Sequence, residues 1–195
     1  MAITFEVAPV DVVNEALGIC GKDFIVDLES TTDTTAIKCK RYYASMLRSM
    51  LRDHPYRFAN APPLELATTG IPTLDARFPY PYALPPDCVR VNQVNGSDKS
   101  RWVVVGRQLW TDVSVATIEY TRWQPDPNVW DGAFYQAFVT YLSVRFAAVF
   151  NSDMAKASDQ YKVYQMQSFD AKAISGQEGS QEVMTCDDLT DQIRE

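Results

Sequence analysis

Apolar residues recur at helical spacing in four stretches of this chain, and at alternating spacing in the region between the second and third. Val13, Ala16, Leu17 and Cys20 fall at i, i+3, i+4 and i+7 behind Pro9, which suits a first helical turn, and ahead of Gly21, which suits a stop. The pattern predicts a short helix over Pro9 to Cys20, slightly weakened by Gly18. Lys22 to Glu29 reads as a linker with an apolar patch, Phe24 to Val26. Ser30-Thr31-Thr32-Asp33 supplies capping-box chemistry for a second, longer helix. Ala36, Cys39, Tyr43, Met46, Leu47 and Met50 line one face of that helix, and Lys38, Arg41, Ser45, Arg48 and Arg52 line another. Pro55 removes a donor and pushes His54 out of the helical region, which ends the helix.

From Tyr56 to Trp123 prolines cluster and the apolar period shortens towards two. Val89 to Val94 alternates, Asn95-Gly96 is a tight-turn signal, and Gly106-Arg107 is a second one. Trp102 to Val105, Gln108 to Thr111 and Val115 to Trp123 read as further strands of an antiparallel insert. After Pro125-Asp126-Pro127-Asn128, the stretch from Asp131 to Phe150 is apolar around most of its circumference, as expected of a helix central to a bundle or at a subunit interface. Asn151-Ser152-Asp153 can cap a fourth helix running to about Ile174, with Ala157, Tyr161 and Tyr164 inward. Beyond Gly176 the pattern dissolves, leaving Val183, Met184, Leu189 and Ile193 as the main apolar points of a polar, acidic arm that is expected to order on a partner.

The expected fold class is therefore α+β. It comprises an antiparallel helical bundle (residues 1–55 and 129–175), a small antiparallel β subdomain inserted at 56–128, and an extended C-terminal arm at 176–195. With 195 residues, 46% hydrophobic and 22% charged, the chain is long enough for one full core. Its net charge of −7 disfavours a protein that grips nucleic acid by neutralising phosphates, without excluding a local basic patch. No apolar run approaches the ~20 residues of a membrane span, and Met1 to Asp11 shows neither a basic leader nor an apolar signal core, so a cytoplasmic origin is expected. Cys20, Cys39, Cys88 and Cys186 show no CxxC spacing and no histidine partners, and neither disulfide nor metal use is expected.

Few residues of the chain carry recognisable chemistry. Gly18 to Asp23 superficially matches a phosphate loop but lacks the GxxxxGK[ST] spacing and a preceding strand, so a helix end is the better reading. His54 is the single histidine, with no nucleophile motif around it, and reads as a packed helix-terminal residue. Asp187, Asp188 and Asp191 fit no calcium loop. Arg101-Trp102, Arg107, Trp110 and Arg122-Trp123 form the strongest functional signal, because basic residues interleaved with aromatics can stack and track a single strand of nucleic acid. The competing reading places those tryptophans in the core of the sheet. The basic stripe of the second helix is either a solvated face or a contact with an acidic neighbouring subunit.

Three segments carry a resemblance: Val13-Asn14-Glu15-Ala16-Leu17 with Gly21, Pro55-Tyr56-Arg57-Phe58, and Tyr82-Ala83-Leu84-Pro85-Pro86-Asp87-Cys88. With the order of elements, they resemble the head-to-tail adaptor proteins of short-tailed bacteriophages, also called tail tubular protein A or gateway proteins. The resemblance implies a structural, non-enzymatic virion protein, without cofactor or metal. Such a protein forms a ring of identical subunits, twelvefold in the family, between the portal protein and the tail nozzle protein. Double-stranded DNA passes through the ring without sequence-specific binding. By that analogy Val183, Met184, Leu189 and Ile193 belong to a portal-binding arm, and the β insert projects towards the nozzle. Arg41, Arg48, Arg52, Phe138, Tyr141 and Arg145 are the candidates for the subunit interface. Two rival classes are a single-stranded nucleic-acid-binding β module and an enzyme of unrecognised type built around His54 and a carboxylate.

Overall fold

In the computed structural model, residues 6–69, 75–96, 101–151 and 154–177 are described. The first helix, α1, spans Pro9–Ile19 with Pro9 in its first turn, and the Asp11 carboxylate accepts from the Ala8 amide at 2.8 Å. It ends as the glycine foretold. Gly21 takes φ +69°, its N–H donates to Gly18 O (2.9 Å), and the Lys22 N–H donates to Leu17 O (3.0 Å), a Schellman pair. The phosphate-loop look-alike is thus a helix terminus.

The second helix, α2, spans Thr34–Asp53. Asp33, not Ser30, is its N-cap: the Asp33 carboxylate accepts from the Thr35 N–H (2.7 Å), while Ser30 Oγ accepts from the Asp33 N–H (3.2 Å). A carboxylate is the stronger acceptor, and its charge is favoured at the positive end of the helix. His54 leaves the helix at φ −140°, ψ 144°, as a residue before proline must.

The third helix, α3, spans Gly132–Phe146, capped by Asp131 accepting from the Phe134 N–H at 2.7 Å, and runs into a π turn over Ala147–Asn151. The fourth, α4, spans Met154–Gln177. Glu15 accepts from the Tyr135 hydroxyl (2.8 Å) and Ser143 O accepts from the Cys20 thiol (3.2 Å), so α1 runs parallel to α3. Tyr56 lies against Phe134, and Arg145 over Tyr42, so α2 runs the other way. An up-down-up-down bundle results, with α3 touching all three other helices.

Its core is aromatic. Tyr43, Tyr56, Trp130, Phe134 and Phe138 meet mostly edge to face, at centroid distances of 4.7–6.5 Å. The polar tips are served by loop carbonyls: the Trp130 indole donates to Gln124 O (3.1 Å) and the Tyr43 hydroxyl to Pro125 O (3.3 Å). The helical core also takes in Tyr56 and Ala59, so the β insert begins nearer Ala61 than residue 56.

The insert comprises two three-stranded antiparallel sheets rather than one. Strands β1 (Leu64–Glu65), β3 (Cys88–Val94) and β6 (Thr117–Arg122) pair in the order β1-β6-β3. Strands β2 (Tyr80–Ala83), β4 (Trp102–Val105) and β5 (Gln108–Thr111) pair as β2-β5-β4. Leu66, Tyr82, Val91, Val94, Leu109, Ile118 and Tyr120 form a second, separate core. Asn95 and Gly96 both take positive φ (52° and 60°), so the tight turn is real. Asn95 nevertheless stays paired with β6 through its N–H to Thr117 O, and the next described strand, β4, lies in the other sheet. Gly106 (φ +61°) opens the two-residue β4–β5 hairpin as expected. Arg90 of β3 fastens the insert to the bundle by donating to the last carbonyls of α2, Arg52 O and Asp53 O, at 3.2 and 3.1 Å.

Gly132–Phe150 is long and apolar enough, by length and composition, to cross a membrane, which no run was expected to be; half of it is buried inside this bundle. The expected arm and its acidic triplet lie outside the described residues, apart from the last turn of α4.

Candidate functional site

The small residues Ser168, Ala171 and Ser175 are the buried positions of the C-terminal half of α4, and small side chains let that half approach the core closely. The Arg57 N–H donating to Ser175 Oγ (3.0 Å) ties it to the segment after α2. The N-terminal half has only Ala157 buried, so it stands away from α2. Tyr161, expected inward, is 46% exposed, held off by Tyr164, which already fills the inward site by stacking on Tyr141 at 4.5 Å and 16°.

The divergence leaves a groove of about 580 Å³ across the outer side of α3. Tyr141, Val144 and Ala148 floor it, Tyr42 and Met46 of α2 form one wall, and Met154 and Tyr161 of α4 form the other. Among the described residues Arg145 is the one charged side chain in its lining, its guanidinium 5.0 Å over the Tyr42 ring. An adjoining cleft of about 450 Å³ continues it past Tyr164 to Arg52 and Asp53.

Of the six interface candidates, Tyr141 and Arg145 line this groove. Arg41, Arg48 and Arg52 lie exposed along the neighbouring face of α2, with Arg48 stacked 5.2 Å over Trp123 and Arg52 donating to Val89 O at 3.4 Å. Phe138 is a correction: it is fully buried between Tyr43, Trp130 and Phe134, and has no surface to offer a neighbour. Apolarity around the whole of α3 marks it as the bundle's centre, which composition alone does not distinguish from an interface helix. The arm residues Val183, Met184, Leu189 and Ile193 lie outside the described residues.

Two further apolar surfaces lie exposed on the bundle. Phe24 and Val26 are 70% and 97% exposed on the loop after α1. Ile25 between them is buried, its N–H donating to Asn14 Oδ1 and its carbonyl accepting from Asn14 Nδ2, both at 2.9 Å. On α4, Met166 and Phe169 point outward at 63% and 73% exposure. The Phe24–Val26 patch was visible in the sequence, but its orientation depends on the Asn14 clasp.

The tryptophan–arginine array is dispersed. In the β4–β5 ladder Trp102 pairs with Thr111 and Val103 with Trp110, so Trp102 and Trp110 project from opposite faces. Trp123 packs on the helical core. The three rings therefore share no platform.

An open cleft of about 330 Å³ is lined by His54 and Glu119 among others. No hydrogen bond joins those two among the described residues. The imidazole instead lies edge-on to Tyr56 at 4.9 Å, and partial burial with Lys172 nearby lowers its pKa against the opposing pull of Asp53. Burial pushes the Cys88 thiol up to about 11 and the Cys39 thiol to about 12, and raises Cys20 as well. None of the three is poised as a nucleophile. No group of metal-ligating side chains occurs among the described residues.

The segments that carry the resemblance are joints. Asn14 clasps the Phe24–Val26 loop, Tyr56 is the fully buried pivot between α2 and the insert, and Tyr82 is buried in the second core. Neither a family model nor a curated protein matches this chain.

Proposed function

We propose that this protein is a head-to-tail adaptor of a short-tailed bacteriophage, a structural ring subunit between the portal and the tail nozzle. The observation that carries the reading is the amount of apolar surface left open on the bundle: the α2/α3/α4 groove, the Phe24–Val26 loop and the Met166–Phe169 face of α4. Contiguous exposed apolar surface marks contact with another macromolecule. Its spread over several sides of one small bundle fits a subunit with several neighbours. The arginines of α2 beside the groove supply a polar rim.

In this reading the residues beyond Gln177, acidic and bearing Val183, Met184, Leu189 and Ile193, are the portal-binding arm. The β insert, joined to the bundle through Arg90 and Tyr56, is the part directed to the nozzle. The protein acts by assembly and needs no cofactor.

Native mass spectrometry of the chain, alone and with the portal protein from the same genome, tests this. The expected result is a stoichiometric ring that forms on the portal. A chain that ignores a competent portal overturns the proposal.

A further inference from the structure

We infer that adjacent copies meet head to tail, with Phe24 and Val26 of one copy seated in the α2/α3/α4 groove of the next. This deepens the ring reading and rests on it. The loop is built to project. Asn14 holds both backbone groups of Ile25, and Ile25 is turned into the core, which leaves its two neighbours pointing out. Two large apolar side chains on so firmly tied a backbone lose little entropy when they are covered.

The groove supplies the matching surface: apolar floor and walls, with the Arg145 guanidinium at its edge and Lys38 lying over Phe150 near the same end of α3. Asp23 and Asp27 bracket the loop's apolar pair. Arg145 has no carboxylate partner among the described residues, and an incoming Asp23 or Asp27 would supply one.

Placement decides that the two surfaces belong to different copies. The end of α1 reaches α3 at Ser143, whereas the groove is floored by Tyr141. Two residues are about 200° around a helix, so the loop and the groove lie on opposite sides of α3. A copy cannot fill its own groove, and each copy offers one of each surface. Such a heterologous contact repeats, and it closes into a ring when the rotation allows. A symmetric pair would use one patch twice.

The test places the photo-crosslinking residue p-benzoylphenylalanine at Val26 and mixes isotope-labelled with unlabelled full chain, with and without portal. Crosslinks between labelled and unlabelled chains, falling in residues 42–49, 141–148 or 154–161, are expected. Crosslinks within one chain, crosslinks into residues 178–195, or none in the groove overturn the contact. As a second measurement, Phe24→Ser with Val26→Ser should melt like the parent but lose the ring, because both side chains are already exposed. A ring of unchanged mass from that variant also overturns it. Cross-chain groove crosslinks without portal association would leave the contact standing and remove the adaptor reading. A ring on the portal with crosslinks elsewhere would do the reverse.

Discussion

Asn14 of α1 grips Ile25 by both backbone groups, donating from Nδ2 to its carbonyl and accepting at Oδ1 from its N–H, each at 2.9 Å. One side chain thereby substitutes for a strand neighbour and fixes a loop that has no regular structure of its own. Replacing Asn14 with Ala removes two partly buried hydrogen bonds and leaves the Ile25 groups to find water. The expected cost is about 1–3 kcal/mol of stability, read by urea denaturation, together with faster proteolysis in residues 22–29. Asn14→Asp keeps the acceptor for the Ile25 N–H but sets a carboxylate oxygen against the Ile25 carbonyl, so it should not recover the parent stability.

Tyr56 is wholly buried, with its ring against His54, Phe58 and Phe134 and its hydroxyl beside Ser168, where it makes no well-aligned hydrogen bond among the described residues. Packing, not the hydroxyl, is therefore its contribution. Tyr56→Ala should cost about 3–5 kcal/mol, whereas Tyr56→Phe should stay within ~0.5 kcal/mol of the parent. Chemical denaturation of the pair checks this, and a large loss in the Phe variant would show that the hydroxyl is bonded after all.

How much of this was visible beforehand differs between elements. The first two helices follow from 3.6-residue periodicity with Pro9, Gly21 and Pro55 as punctuation, because those residues act through their own backbone geometry, whereas α3 was legible from its apolarity on every side. Strand β2 was hidden because Pro81 sits inside it. Proline is tolerated there because β2 is an edge strand of its sheet, and edge position is a tertiary property. The second sheet was hidden for a similar reason: Asn95-Gly96 specifies a turn without specifying which strand follows it into the same sheet. The groove was the least readable feature. It arises from the spacing of small residues Ser168, Ala171 and Ser175 against the Tyr141–Tyr164 stack, and no local pattern encodes two helices diverging across a third.

His54 gives the fold a pH dependence of known sign. Its pKa is lowered below 6.5, chiefly by burial and then by Lys172. The unfolded chain then binds the proton more readily than the folded one. Stability is fully present above the ordinary histidine value and falls as pH drops through 6.5 towards the lowered folded value. The parent should lose melting temperature between neutral pH and the mildly acidic range, and His54→Gln should lose less over the same interval. Equal slopes for the two would assign the effect to other groups.

The thiols should be silent in the native state. Cys39 and Cys20 are buried, and the Cys39 pKa is pushed up to about 12, so almost no thiolate exists at pH 8. In a Cys186→Ser background, a chromogenic disulfide reagent should label neither Cys20 nor Cys39 until denaturant is added. Cys88, half-buried with its pKa at about 11, should react slowly. Rapid native labelling of Cys39 would contradict the packing of α2 on the core.

Phe138 and Arg145 separate folding from assembly along one helix. Phe138 is enclosed by Tyr43, Trp130 and Phe134, so Phe138→Ala should cost about 3–5 kcal/mol and lower the melting temperature markedly. Arg145 is exposed at the groove edge and loses only its stacking over Tyr42, worth about 0.5–1 kcal/mol at such a site. Arg145→Glu should therefore fold nearly as the parent does. In the proposed contact it also sets a carboxylate against an incoming Asp23 or Asp27, so the proposed ring on the portal should fail to form at moderate salt. Asp23→Lys with Asp27→Lys, combined with Arg145→Glu, should recover it, because the exchanged charges again oppose one another. A single Arg145→Glu variant that assembles as well as the parent would place the subunit contact elsewhere on the bundle.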